Sequence, residues 1–300
     1  MNELDILKTI QRISGSSFIG DDCAYLDDLG IVVTQDSLVE DIHFKRNWCT
    51  PYQLGFKSVI VNISDILASG AKPAYITIAL SLPNNLPDNF IEEYYKGVNA
   101  ALNGVKVIGG DITGADNKIF ISISAIGIAN NRNISSRKNA GIGYAVITKG
   151  MFGSSAAGLN ELKLGGNNKD LILSHLEPEL EYDFADSIAT TVKEPYAMMD
   201  TSDGLADALF KIAESSNAKV KVNYNLIPHL SFIDKNYVLY GGEDYKLIAA
   251  VPDKYVSLIP NAVLIGRVEK YDGVRLDISD EKFTSYDELN VYNHFGEHNG

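Results

Sequence analysis

The chain has 300 residues, of which 45% are hydrophobic, and a formal net charge of -13 at pH 7. This length predicts one large domain or two ordinary ones, with enough chain to bury a core. The strong negative charge argues against nucleic acid or an anionic membrane as the main partner, because both require basic surface. It also disfavours phosphate ligands, unless bound divalent cations reverse the local charge.

Two cysteines, Cys23 and Cys49, are present, without a CxxC motif or a Cys/His zinc spacing. This usage is typical of a reducing compartment. The N-terminus is acidic and lacks the apolar region of a signal peptide, and no apolar run is long enough to span a bilayer. The sequence therefore predicts a cytoplasmic protein.

Helix and strand signals alternate along the first half of the chain. Apolar periodicity predicts a helix over residues 3–13, a strand over 31–34, and a helix that begins near Pro51 and ends at Gly70. Further strands are predicted over 74–82, 105–108 and 119–128, with an amphipathic helix over 90–103. The near-strict alternation of residues 119–128 indicates a strand with one buried face.

A polar, basic stretch over residues 130–143 is the best candidate for a domain boundary, which we place between residues 137 and 138. Beyond it, strands are predicted over 144–148, 197–200, 219–222, 246–251 and 262–265, and helices near 154–159, 183–192 and 205–215. Several strands alternate in polarity rather than being uniformly apolar. This favours an α+β fold of two domains, with mixed or antiparallel sheets flanked by helices.

The segment 59–70 (VIVNISDILASG) is apolar around nearly its whole circumference, so this part of the helix should be buried. Asn62 and Asp65 lie on the same face of it. No Lys or Arg lies three or four residues from Asp65, so a buried carboxylate there requires a cation from elsewhere. A helix cap, or a pair with a distant Arg, explains Asp65 alone equally well.

Acidic residues recur where predicted apolar segments end. These residues are Asp36, Asp111, Asp200 with Asp203, and Glu243 with Asp244, while Asp21 and Asp22 stand where a loop enters a strand. Any single motif is better explained as a turn former. Together with Asp65 the set favours several magnesium ions around a polyphosphate, since Mg2+ prefers carboxylate oxygens. P-loop, dinucleotide, HExxH, GxSxG and protein-kinase motifs are absent.

An ordered set of short motifs resembles the thiamine-monophosphate kinase family. The motifs are GDDCAYL (20–26), TQDSLVEDIHF (34–44), VNISDILASGAKPAYITIALSLP (61–83), GGD (109–111), SRKNAGIG (136–143), GSSAAGL (153–159), SHLEPEL (174–180), MMDTSDGLAD (198–207), LYGGEDYKL (239–247) and IGRV (265–268). Each is modest alone, whereas their order and spacing are highly specific. That family belongs to the ATP-binding superfamily that includes aminoimidazole ribonucleotide synthetase.

The resemblance implies that ATP phosphorylates thiamine monophosphate to thiamine diphosphate, the last step in the biosynthesis of that cofactor. It implies several Mg2+ ions, an N-terminal ATP- and Mg-binding domain (1–137) that forms a homodimer, and a C-terminal α+β domain (138–300). The implied magnesium ligands are Asp22, Thr34, Gln35, Asp36, Asp65, Asp111, Asp200 and Asp203, of which Asp65 and Asp203 would act in catalysis through the bound ions. The implied ATP contacts are Tyr95, Gly110, Asp111, Arg137 and Ser202, and the implied thiamine contacts are His43, Glu243 and Phe295.

Three positions depart from the family pattern. Gln35 stands where a Thr is usual, Thr201 where an Ile is usual, and Ile112-Thr113 where a second Thr commonly follows Gly-Gly-Asp. The carboxylates are intact, so these departures bear on the number of ions and on the bonds around them.

The chemistry of the residues agrees with this activity. A phosphate monoester has its second pKa at ~6 and is mostly dianionic at neutral pH, so the acceptor needs no general base. We expect direct transfer without a phosphoenzyme, assisted by charge neutralisation and in-line alignment. Selenophosphate synthetase and the hydrogenase-maturation dehydratase are the alternatives within the superfamily, but their characteristic cysteines are not evident here. A non-catalytic nucleotide-binding module would not need so many carboxylates.

Overall fold

The computed structural model describes residues 3–279 and 281–291 and contains two β-sheets with helices packed against them. The first part comprises α1 (Glu3–Ser14), β1 (Ala24–Leu26), β2 (Ile31–Val39), α2 (Pro51–Ala68), β3 (Lys72–Pro83), α3 (Phe90–Ala101), β4 (Lys106–Ala115) and β5 (Phe120–Ile128). The second part comprises β6 (Ala145–Thr148), α4 (Ser154–Leu164), α5 (Lys169–Leu176), α6 (Tyr182–Thr191), β7 (Ala197–Asp200), α7 (Leu205–Ser215), β8 (Ala218–Val222), α8 (Lys235–Tyr240), β9 (Leu247–Val251), β10 (Val263–Lys270), β11 (Leu276–Ile278) and β12 (Glu281–Phe283).

Both sheets are mixed. The first has the order β1-β2-β5-β3-β4, in which β3 and β4 run parallel and the other neighbours antiparallel. The second has the order β12-β11-β8-β10-β6-β9-β7, in which β8 and β11 run parallel. The predicted α+β fold with mixed sheets flanked by helices is thus confirmed. The division between residues 137 and 138 stays a prediction; it falls in a short 3-10 turn, Arg137–Asn139.

Helix α2 lies between the two sheets. It begins with a reciprocal capping box, in which Thr50 accepts from the Gln53 amide and the Gln53 side chain accepts from the Thr50 amide. It packs against β2, β3 and β5 on one side and contacts β7, α5 and α6 on the other. Its apolar side chains share one buried cluster with Phe184 and Met198 of the second part.

Glycines bring α2 and α3 into backbone contact. A Cβ added to Gly55 would lie 2.0 Å from the carbonyl oxygen of Tyr94, and one added to Gly97 would lie 1.8 Å from that of Tyr52. Two glycines that each face the partner's backbone leave no room for α2 to move towards α3. The backbones of α2 and α3 therefore pack as closely as they can.

The structure corrects the ends of two predicted strands and adds two helices. Strand β2 continues through residues 35–37 and β4 through residues 109–111, because strands β5 and β3 pair with them along this length. The apolar segment before Gly241 is the short helix α8, capped by the side chain of Asp234. Helix α5 was not predicted. Within residues 3–279 and 281–291, no helix combines the length and the apolarity needed to cross a membrane.

Candidate active site

Carboxylates from three separate elements converge beside α2. Asp22 lies just before β1, Asp65 in the last turns of α2, and Asp200 at the end of β7. Each presents an oxygen within 4.8 Å of the others. Asp36 on β2 lies close enough to raise the pKa values of Asp65 and Asp200, and Asp203, in the turn before α7, raises the pKa of Asp36. We call these five residues the acidic cluster.

Hydroxyl and amide groups fix the orientation of the cluster. The Thr34 hydroxyl donates to Asp65 Oδ2 at 2.6 Å, and the Ser64 hydroxyl donates to Asp200 Oδ2 at 2.6 Å. The Ser202 hydroxyl donates to the other oxygen of Asp200 at 3.0 Å.

A further contact ties β2 to α2. The amide of Asp36 donates to Asn62 Oδ1 at 2.9 Å, so Asn62 and Asp65 of the same helix both contribute to this site. Neutral donors of this kind orient carboxylates but leave their charge in place.

The cluster carries strong mutual repulsion. Burial, followed by the charges of Asp203 and Asp22, raises the pKa of Asp36 to about 6. Burial and the neighbouring Asp22 raise the pKa of Asp200 to about 7. Burial, Asp36 and Asp200 raise the pKa of Asp65 well above its ordinary value. Bound cations would favour the ionised form of these carboxylates and lower their pKa values.

Two cationic side chains border the five carboxylates. The Arg137 guanidinium contacts Asp22 Oδ1 at 2.8 Å, and Lys211 contacts Asp203 at 3.1 Å and Asp207 at 2.8 Å. Arg137 Nε is buried and has no hydrogen-bond partner among the described residues. The arrangement therefore offers hard oxygen ligands for cations, with a guanidinium group at the edge of the cluster beside Asp22.

A second polar group lies beside the acidic cluster and contains His43 and Glu243. Glu243 follows a glycine pair, adopts φ +63°, and its amide donates to the Ser202 carbonyl at 2.7 Å. Its carboxylate contacts Lys57 Nζ at 3.1 Å and His175 Nδ1 at 3.6 Å. Burial raises its pKa, but Lys57, His175 and His43 outweigh this effect, so the pKa is lowered overall.

The two histidines of this group are held in defined states. The Val39 amide donates to His43 Nδ1 at 3.0 Å, which places the proton of the neutral ring on Nε2. Burial and the nearby Lys57 lower the pKa of His175 to about 4, so this ring is neutral at pH 7. Its Nε2 lies 3.3 Å from Lys57 Nζ and its Nδ1 lies 3.0 Å from Ser155 Oγ.

Several predicted site residues do not join the acidic cluster in this structure. Gln35 points to the opposite face of β2 from Asp36 and bonds Ser122 and Ser124. Asp111 lies exposed on β4, in the row of Ala79 and Ser122 on that same opposite face. Their predicted role as ligands gains no support from these positions.

The remaining predicted residues lie elsewhere. Gly110 shares the row of Ile78, Ile123 and Asp36, and a Cβ there would lie 1.9 Å from the Ile78 carbonyl oxygen. Tyr95 on α3 is half-buried and packs edge-on against Tyr94. Phe295 is outside the described residues.

Sequence reasoning missed Lys57, His175 and the role of Asp21. Asp21 Oδ1 accepts from the Arg137 amide at 2.7 Å and Oδ2 accepts from the Ser136 hydroxyl at 2.7 Å, which secures the segment that carries the guanidinium. The one signal for Lys57 was a lysine within an otherwise apolar helix. His175 gave no signal beyond its place in the motif SHLEPEL.

The sequence and the fold are similar to those of proteins of a known class. Residues 20–129 match the family model of the AIR synthase related protein, N-terminal domain. A solved structure named "AaThiL complexed with AMPPCP and TMP" is 29% identical, with a TM-score of 0.89 over 98% of this chain and 97% of that one. Fold and acidic cluster together thus define a protein of the AIR synthase-related class.

Full-length relatives narrow this class. The thiamine-monophosphate kinase of Aquifex aeolicus (strain VF5) is 32% identical over 92% of this chain and 94% of its own length. That of Bacillus subtilis (strain 168) is 30% identical over 98% of this chain and 100% of its own length. The chain belongs to the thiamine-monophosphate kinase family.

Proposed function

We propose that the protein transfers the γ-phosphate of ATP to thiamine monophosphate, giving ADP and thiamine diphosphate, by direct in-line transfer. The observation that carries this proposal is the junction of the acidic cluster with the His43 and Glu243 group. A backbone hydrogen bond joins the two loops that carry them, since the Glu243 amide donates to the Ser202 carbonyl at 2.7 Å. A metal-dependent phosphate site thereby adjoins a site with an ionised carboxylate suited to the cationic thiazolium ring.

Magnesium fits the donor set. The described acidic cluster consists of oxygen ligands, and its raised pKa values reflect burial and then mutual repulsion, which divalent cations would relieve. Asp22, Asp36, Asp65, Asp200 and Asp203 would hold the ions, with the Thr34 hydroxyl nearby. Bound Mg2+ supplies the positive charge that two polyanionic substrates need in order to approach each other.

The protein's own groups then bind and orient. The Arg137 guanidinium, whose side chain is 17% exposed, would contact a phosphate oxygen of ATP. The Ser202 hydroxyl and the Asp200 carboxylate stay aligned through their 3.0 Å hydrogen bond. Glu243 and His43 would orient the thiamine end of the acceptor. No side chain has to remove a proton from the acceptor, because its phosphate is already mostly dianionic at neutral pH.

The predicted homodimer is part of the proposal. Strand β4 is exposed along nearly its whole length and presents Ile108 and Ile112, which are 55% and 68% exposed. A second copy of the chain would cover these side chains. Light scattering of the purified protein tests this; a monomer at micromolar concentration contradicts it. The cytoplasmic location also stays a prediction.

The direct test incubates the protein with ATP, Mg2+ and thiamine monophosphate and follows products by mass spectrometry. Thiamine diphosphate is expected, and EDTA should abolish it. ATP consumption without thiamine diphosphate would refute the proposed acceptor. No ATP turnover at all would refute the proposed enzyme.

A further inference from the structure

Lys57 is a buried lysine on the helix that supports the acidic cluster. Its side chain is 5% exposed and lies two turns before Asp65 on α2. Burying an ammonium group is costly unless it is paired. Here its partners come from the other half of the chain: Glu243 Oε1 at 3.1 Å and His175 Nε2 at 3.3 Å.

The contact with His175 has a defined direction. Because the ammonium group can only donate, His175 Nε2 accepts, and the ring proton resides on Nδ1 beside Ser155 Oγ. His175 is 3% exposed, and its ring is neutral at pH 7. Among the described residues, Lys57 is the one lysine or arginine that contacts Glu243.

Glu243 is fixed at two ends. Its backbone is held on the second half, where a Cβ on Gly242 would lie 2.4 Å from the Ser202 carbonyl oxygen. Its carboxylate is held from the first half by Lys57. The Glu243 side chain remains 26% exposed, so a ligand can reach it.

We propose that Lys57 is a positioning residue for the thiamine end of the acceptor, acting through Glu243. This inference rests on the proposed function. Lys57 keeps the Glu243 carboxylate ionised and in a fixed position, where it would meet the positive charge of the thiazolium ring. Groups that act on the γ-phosphate of ATP lie further along α2 and on the 200–203 loop, so Lys57 affects acceptor binding and leaves ATP binding unchanged.

The test compares steady-state kinetics of wild type and Lys57→Met. We expect the KM for thiamine monophosphate to rise about ten- to hundredfold, as loss of a charged hydrogen bond implies, while the KM for ATP stays within about twofold. Lys219→Met is the matched control, since Lys219 is 12% exposed and contacts Glu269 at 2.8 Å and Asp272 at 2.7 Å away from the site. Its constants should equal those of wild type.

A double-mutant cycle separates positioning from general damage. If Lys57 acts through Glu243, the double variant Lys57→Met/Glu243→Gln should bind the acceptor no more weakly than the weaker single variant. Additive losses, an unchanged KM for thiamine monophosphate, or equal rises in both KM values would overturn the inference. Lys57→Gln is the second variant should the methionine variant not fold, with the same expectations. A wild-type protein that forms no thiamine diphosphate would instead refute the proposed function.

Discussion

Replacing Asp200 by Asn should stabilise the metal-free protein. Asp200 is 1% exposed, and burial with the nearby Asp22 raises its pKa from 3.8 to about 7. Because the folded state binds the proton more tightly than the unfolded state, stability falls as pH rises from about 4 to about 7 and the full cost is present above that window. Asparagine carries no charge and escapes this cost.

The magnitude follows from the shift. At about 1.4 kcal/mol for each pKa unit, the cost approaches ~4 kcal/mol, and the neighbouring carboxylates absorb part of the gain when Asp200 is neutral. Asparagine can accept from one of the Ser64 and Ser202 hydroxyls through Oδ1 and donate from Nδ2 to the oxygen of the other. We therefore expect the variant to be more stable by about 1–4 kcal/mol at pH 8 in EDTA, which corresponds to several degrees in Tm.

The assay is thermal unfolding of both proteins at pH 5 and pH 8, with EDTA or with Mg2+. The difference in Tm should be largest at pH 8 in EDTA and small at pH 5. Mg2+ should raise the Tm of wild type and raise that of the variant much less. A variant with the same or a lower Tm than wild type at pH 8 in EDTA would refute the reasoning.

Four further substitutions test other parts of the structure. Asp65→Asn and Asp203→Asn should abolish turnover while circular dichroism stays unchanged, and near-wild-type rates in both would contradict the assignment of the cluster. Gly97→Ala should cost about 1–3 kcal/mol in urea unfolding, since its Cβ would lie 1.8 Å from the Tyr52 carbonyl oxygen; an unchanged midpoint would show that α2 and α3 can separate. Gly242→Ala should lower kcat while Tm changes little, because the added methyl group displaces the 200–203 loop. A clear fall in Tm along with kcat would indicate a structural role alone.

Elements with strong periodicity could be predicted from the sequence. Helix α2 and strand β5 have the expected type and bounds within about two residues, because capping signals and alternation are local. Strands β2 and β4 extend beyond their predicted ends because pairing partners distant in sequence decide where they stop. The Gly-Gly-Asp turn predicted at residues 109–111 was wrong for this reason.

The acidic cluster was predicted through motif order, and the structure brings Asp22, Asp65 and Asp200 together. Whether a side chain of β2 faces the cluster depends on the face of the strand from which it projects, and this separates Asp36 from its neighbour Gln35. The partner of Lys57 could not be predicted, because Glu243 lies far along the chain and no periodicity links them. No lysine or arginine lies three or four residues from Asp65, whereas Lys57, two turns earlier on the same helix, contacts Glu243 at the other site.

The glycine contact between α2 and α3 has a consequence for ion binding. Repulsion within a group of carboxylates usually relaxes when the backbone that carries them shifts apart. Here Gly55 and Gly97 already place the backbones of α2 and α3 in contact, so α2 cannot move towards α3 to relieve the repulsion between Asp65, Asp22 and Asp200. Packing far from the chemistry thereby keeps part of this repulsion in the folded state, where bound protons or cations relieve it.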